Sequence, residues 1–439
     1  MKPTTDLAEL VQPDRVHRSA YTDAAIFERE MERIFHRVWT YVGHESQVKQ
    51  PGDYWSVLIG RQPMLMVRHD DGSVRVLHNR CPHRGALLCG NRHGSAPEGF
   101  ICSYHSWQFH TDGTIKAIPL ERGYEGTRLA RDGADCALRD MKPAARVANY
   151  RGFVFASLAK DGLSLLEWLG PAKIAFDDIC DRAPAGEVEV VPNCFRVIQQ
   201  SNWKIFLENQ LDALHPAVTH ESTGKAAHEV ELALAQRQEH APLAYHFLSA
   251  FATTPVPKWD EFQTLNYPHG HSILTGYMGL RPRDPDTLAY EAVMKESYGE
   301  KRMEEILGVN IHHVLLYPGL SVQSPLQQLR AVRPLAVDKT LTEIWHFRLK
   351  GAPEAIYRRA LGYYNLVNSP STLVNADDLW NFWKCHQGLA SDGGDWVSFH
   401  RNAGQDHVAG DVVTSVIGTS EAPMRNEFRA WAQYMAGVQ

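Results

Sequence analysis

No run of about 18 consecutive apolar residues occurs in this 439-residue chain, so no membrane-spanning helix is expected. No apolar segment follows the single Lys of Met1-Lys2-Pro3-Thr4-Thr5-Asp6, so the start does not read as a secretory signal. Positive charge is not in excess: the formal net charge is −6, and the basic surface that a nucleic-acid partner selects is missing. Cysteine is sparse. Seven residues, an odd number scattered over a long chain, do not make a disulfide framework, and a cytoplasmic, reducing home is expected. Low-complexity tracts and internal repeats are also lacking.

What remains is a globular composition, 44% hydrophobic and 22% charged, on a chain too long for one ordinary core. Two domains are the expectation. Tyr21-Thr22-Asp23 reads as a helix cap, and Phe27, Met31, Ile34, Phe35 and Val38 follow at helical spacing. From Trp39 the period shortens, with β-rich stretches Tyr54–Ile59, Pro63–Val67, Val74–His78 and Phe153–Ala156 broken by Gly- and Asp-containing turns. The division expected is an N-terminal helical segment over 1–38, an all-β domain over 39–160 and an α+β domain over 161–439. In the last, a strand at Val188–Gln199 precedes a helix from Asn202 to about Ala217. Strands at Ile311–Leu316, Leu320–Val332 and Leu341–Leu349 come later, and helices at Ala352–Val367, Ala376–Leu389 and Pro423–Met435 close the chain.

Histidine is plentiful, with 22 residues, so only spacing can single any out. The β-rich segment holds Cys81-Pro82-His83-Arg84-Gly85 and, nineteen positions beyond His83, Cys102-Ser103-Tyr104-His105-Ser106-Trp107. Each unit offers one thiolate and one imidazole. A Rieske [2Fe–2S] centre needs two Cys on one iron and two His on the other. A structural Cys2His2 zinc site uses the same ligand types, but such sites more often pair like with like. The two loops are similar to those of the aromatic-ring-hydroxylating oxygenases. Ala86 and Tyr104 stand where respiratory Rieske proteins carry an additional disulfide pair, which points to the oxygenase or ferredoxin kind of cluster.

A second constellation lies in Asn202-Trp203-Lys204, Glu208-Asn209 and Asp212 through His215 to His220. Asp212 and His215, three apart, share a helix face. His215 and His220, five apart, diverge by about 140° on a regular helix, and Pro216 between them offers a kink. No Glu follows His215, which excludes the His-Glu-x-x-His zinc-protease pattern. Two imidazoles and one carboxylate suit a ferrous oxygenase, and the carboxylate source is Asn375-Ala376-Asp377-Asp378, at the start of a late helix. A capping role for the acidic pair is the plain alternative.

The same resemblance, spanning nearly the whole chain, implies further features. It makes Asp378 rather than Asp377 the third ligand of a mononuclear Fe(II). It makes Asp212 the carboxylate that links a cluster histidine of one subunit to an iron histidine of its neighbour, and places Asn209 in the catalytic set. It implies an all-β Rieske domain followed by a catalytic domain built on a curved antiparallel sheet surrounded by helices. The expected activity is that of a terminal oxygenase using O2 to cis-dihydroxylate an aromatic substrate, with ring monooxygenation or demethylation as the alternative.

The chain has no Gly-x-Gly-x-x-Gly fingerprint after a strand and no plant-type ferredoxin cysteine run. NADH is therefore expected to act only through a separate reductase, with or without a ferredoxin. A ring of three such subunits, with or without three β subunits, is implied by the resemblance. An aromatic carboxylate is the expected substrate class, with Arg330 and Arg333 as candidate anchors. On a regular strand these two face opposite sides, so only one can serve.

Overall fold

A computed structural model of the chain describes residues 7–276 and 281–437. The first six residues, on which the absence of a signal was argued, lie outside the described ones. The chain forms two compact units, one from Phe35 to Leu165 and one from the residues before and after it.

The first unit is all β, with three small antiparallel sheets. Val74–His78, Gln62–Arg68, Asp53–Ile59 and His93–Ser95 make the four-stranded one. The hairpin Phe100–Ile101 with Gln108–Phe109 extends to Ile115–Ala117 in another. Leu65, Val67, Leu77, Phe100, Trp107 and Phe109 fill a core that also encloses Cys81 and Cys102.

In the second unit, Asp23 caps the entry helix Ala24–Glu30, its side chain accepting from the amides of Ala25 and Ile26. This helix is anchored by a buried acid. Glu30 accepts from Lys204 Nζ at 2.5 Å, Trp203 Nε1 at 2.8 Å and Trp431 Nε1 at 2.7 Å. A carboxylate taken out of water is tolerable only with such complete partnering. This unit is built on a nine-stranded antiparallel sheet. It runs in the order Val188–Gln199, Lys339–Leu349, Gln328–Ala336, Leu320–Gln323, Ile311–Leu316, Ser272–Thr275, Gln263–Asn266, Val412–Ser415, His407–Ala409. Helices flank it, including Trp203–Gln210, Leu243–Thr253, Leu373–Leu389 and Ala422–Ala436. The α+β expectation holds.

Three local expectations change. The single strand expected over Leu320–Val332 is a hairpin. Pro325 opens a short helical turn, Gln327 adopts the left-handed conformation with φ 54°, and Gln323 pairs with Gln328 across it. The helix expected over Asn202–Ala217 is two helices, Trp203–Gln210 and His215–Thr219. The break comes before Pro216, because the Asp212 side chain accepts from the amides of Leu214 at 2.7 Å and His215 at 3.3 Å. Short acidic side chains compete in this way with helical backbone bonds. Pro216 then sits in the first turn of the second helix, where its missing N–H costs nothing. The third change concerns Asp377 and Asp378: their helix starts at Leu373 with Thr372 as its cap, so neither aspartate is a capping residue.

Candidate active site

The loops Cys81–Ala86 and Cys102–Trp107 fold alike. In each, the cysteine amide donates to a carbonyl five residues on, Ala86 or Trp107, at 2.8 Å. The residue four on, Gly85 or Ser106, donates back to the cysteine carbonyl at 2.9 Å. That returning residue is left-handed in both, with φ 77° at Gly85 and 57° at Ser106. The repeat brings one Cys and one His from each loop together. The His83 and His105 rings are 4.6 Å apart, and His83 stacks on Trp107 at 5.0 Å. Both cysteines are buried and free of disulfide, and burial pushes the Cys81 thiol up from its ordinary range. Nδ1 of each histidine is enclosed without a hydrogen-bond partner. Two buried thiols and two unsatisfied imidazole nitrogens fit the donor set of a Rieske cluster.

The second site lies where the broken helix meets the helix Leu373–Leu389. Ligand atoms of His215, His220 and Asp378 lie within 4.8 Å of one another. Asp378 Oδ1 is 3.2 Å from His220 Nε2 and 3.7 Å from His215 Nε2. The opposite ring nitrogens face other carboxylates, with His215 Nδ1 3.5 Å from Asp212 and His220 Nδ1 3.6 Å from Asp377. The Asn209 amide donates toward His215 Nε2 at 3.0 Å and Asp378 Oδ1 at 3.4 Å. Burial opposes charge on Asp212, yet its contact with His215 and two backbone amides holds it below the usual carboxylate range. His215 is raised in turn: the Asp212 contact and Asp378 outweigh the burial that disfavours its charge. Neither nitrogen of the His220 ring has a hydrogen-bond partner among the described residues. Two imidazoles and one carboxylate, each imidazole faced from behind by an acid, fit a mononuclear iron and its surroundings.

Two families of known proteins match the chain. The Rieske [2Fe–2S] domain family matches residues 38–131, and the ring-hydroxylating alpha subunit (catalytic domain) family matches residues 184–437. The chain belongs to the ring-hydroxylating alpha subunits. Toluate 1,2-dioxygenase subunit alpha of Pseudomonas putida is 32% identical over 86% of this chain and 80% of that protein. Anthranilate 1,2-dioxygenase large subunit of Acinetobacter baylyi is 32% identical over 85% of this chain and 77% of its own length. In fold, this alpha subunit superposes on a naphthalene 1,2-dioxygenase structure with TM-score 0.81 at 22% identity, covering 99% and 95% of the two chains. A Rieske [2Fe–2S] cluster and a mononuclear iron are the cofactors of this class, and the chain carries a donor set for each. Among the described residues no helix is long and apolar enough to cross a membrane.

Beside the triad of this alpha subunit lies a cavity walled by Phe247, Phe251, Trp259, Phe262 and Tyr363, with Arg330 at one side. Arg330 is 8% exposed. Its guanidinium donates to three glutamine oxygens: Gln210 at 2.6 Å, Gln328 at 2.7 Å and Gln323 at 2.8 Å. Among the described residues no carboxylate reaches it within ion-pair distance. Burial depresses its pKa to about 10, which leaves it charged at neutral pH. Gln210 Nε2 donates on to Asn209 at 3.1 Å, so the arginine and the triad share one hydrogen-bonded chain.

Arg333 does not reach this cavity. Three positions along the strand Gln328–Ala336, it faces the other side and pairs with buried Glu343 at 3.2 Å. Of the residues expected from sequence, His215, His220, Asp378, Asp212, Asn209 and Arg330 come together here. Gln210, Gln323, Gln328, His312 and the outer carboxylate Asp377 were not singled out for these places. Their signal is tertiary, because polar side chains from five separate elements converge only once the sheet is formed.

Proposed function

We propose that this alpha subunit is the terminal oxygenase of a multicomponent system that cis-dihydroxylates an aromatic carboxylate, using O2 and electrons from a separate reductase. Arg330 carries the choice of substrate. A buried cation solvated, among the described residues, only by neutral glutamines, in the cavity that holds the triad, leaves an uncompensated charge that a substrate carboxylate would neutralise bidentately. The aromatic walls suit the ring. Relatives named for toluate, 2-halobenzoate and anthranilate support the same reading.

Cys81, His83, Cys102 and His105 would hold the cluster, and His215, His220 and Asp378 the iron. The two groups would supply stored electrons and O2 activation respectively. Asp212 faces the outer nitrogen of His215 at 3.5 Å and would be the bridging carboxylate toward a neighbouring subunit. Asn209 fixes the inner edge of the triad. The proposed assembly is a cytoplasmic ring of three such subunits, with β subunits in the manner of α3β3 and a reductase or ferredoxin as donor.

The test is product analysis with a series of benzoates, reductase and labelled O2, on wild type and Arg330→Met. Two labelled hydroxyls per product are expected, and one would establish the monooxygenase alternative. Arg330→Met is expected to raise KM for carboxylates about tenfold or more, the worth of a charged hydrogen bond. An unchanged KM removes Arg330 from the site.

A further inference from the structure

Two adjacent histidines, His312 and His313, both line the cavity, which a regular strand does not allow, because neighbours alternate between faces. The exception has a visible cause. Across the pair of strands Ser272–Thr275 and Ile311–Leu316, Leu274 opposes His313 while Thr275 opposes Ile311. His312 is the extra residue of a β-bulge, a device that re-aims a side chain beside a site.

The two rings then divide their tasks. His313 is locked into the glutamine collar of Arg330, with Nε2 2.8 Å from Gln323 and Nδ1 3.3 Å from Ser321. His312 has no hydrogen-bond partner among the described residues, and its Nδ1 is enclosed. Phe247 packs near its ring at 6.0 Å. Burial first, and then the charge of Arg330, pushes the His312 pKa down to about 3. The ring is neutral at working pH and offers one donor and one acceptor. An enclosed polar ring without a partner, beside the aromatic walls of the cavity, costs free energy until something pairs with it.

We propose that His312 is a second polar contact for the substrate, reading a hydroxyl or amino group on the ring of the carboxylate that Arg330 holds. This rests on the substrate class proposed above. It narrows that class from aromatic carboxylates in general to those carrying a second hydrogen-bonding substituent.

Anaerobic binding measurements by calorimetry, with benzoate and its hydroxy and amino isomers as probes, test this on wild type, His312→Leu, His312→Gln and Arg330→Met. At least one substituted isomer is expected to bind wild type about three- to tenfold more tightly than benzoate, the worth of one net hydrogen bond. His312→Leu should erase that preference and leave benzoate within about twofold, as expected for loss of one contact. His312→Gln, which keeps a donor and an acceptor, should restore part of it. No preferred isomer in wild type overturns the proposal, whatever the variants do. Equal weakening of all ligands in His312→Leu, with iron content intact, overturns it too, since that is the mark of a packing residue. Should His312→Leu not fold, His312→Phe makes the same comparison. Arg330→Met should weaken every carboxylate alike. If it does not, the carboxylate anchor fails, and a surviving preference for one substituted ring still supports His312.

Discussion

Asp377 and Asp378 are neighbours in sequence and face the same imidazole from opposite sides. Asp378 reaches toward the inner nitrogens of both histidines, whereas Asp377 meets only the outer nitrogen of His220. Exposure separates them too, at 14% for the Asp378 side chain and 41% for Asp377. Asp378→Asn is therefore expected to abolish mononuclear iron binding while the visible absorbance of the cluster is unchanged. Asp377→Asn should keep the site but lower iron affinity about 10- to 100-fold, as outer-shell losses do. Iron assayed after chelator challenge reads both, and the reverse order would make Asp377 the ligand. The acidic pair was legible in sequence as a source of carboxylate. Spacing could not say which member does what, and resemblance alone pointed to Asp378, because the choice depends on where the helix starts and how it is rotated against His220.

At the level of elements, a broken helix and a repeated loop build the two sites. Asp212 both accepts from the Leu214 and His215 amides that open the short helix His215–Thr219 and faces His215 Nδ1, and the two roles can be separated. The asparagine side-chain oxygen accepts from such amides as aspartate does, so Asp212→Asn should fold and retain iron while losing most turnover with reductase. Asp212→Ala should lose about 1 kcal/mol of stability in addition, read by urea denaturation. Equal turnover in wild type and Asp212→Asn would leave Asp212 only its backbone contacts. In the cluster loops the left-handed positions are unequal. Gly85 has no Cβ to strain, whereas Ser106 pays for its conformation. Ser106→Gly should be neutral or stabilising by up to about 1 kcal/mol. Gly85→Val should cost more, because even a Cβ there would come 3.2 Å from Arg80 Nε, and cluster absorbance per chain should fall.

For the whole molecule, the acids buried around the entry helix set a pH dependence. Burial pushes Glu208 up to about 7, against its hydrogen bond from Tyr21 and the nearby charge of Lys204. Glu427 is raised in the same sense. A carboxyl with a raised folded pKa binds its proton more tightly folded than unfolded. Its ionisation therefore costs stability as pH rises from about 4.5 to about 7. Glu208 should take at most about 3 kcal/mol from wild-type stability over that interval. Glu208→Gln should show a flatter profile and exceed wild type at pH 8, with no such advantage at pH 5. Identical urea midpoints for the two proteins across that range would contradict it.

The donor set proposed for the cluster, Cys81, His83, Cys102 and His105, was legible from spacing alone, because each loop is a local structure. Six consecutive residues carry the thiol, the imidazole and the left-handed turn that aims them, so spacing is enough. His215 and His220, the imidazoles proposed for the iron, were legible too, since they lie within one short segment, as were most strands and helices, whose periodicity is likewise local. The remaining features depend on contacts that only the folded chain makes. The split of one expected helix at Asp212 is a contest between a side chain and the backbone. The buried charge of Arg330 acquires meaning from three glutamines, Gln210, Gln323 and Gln328, that sheet formation places around it. The bulge that turns His312 into the cavity is a register shift between two strands, and register belongs to the pair of strands and to neither sequence alone.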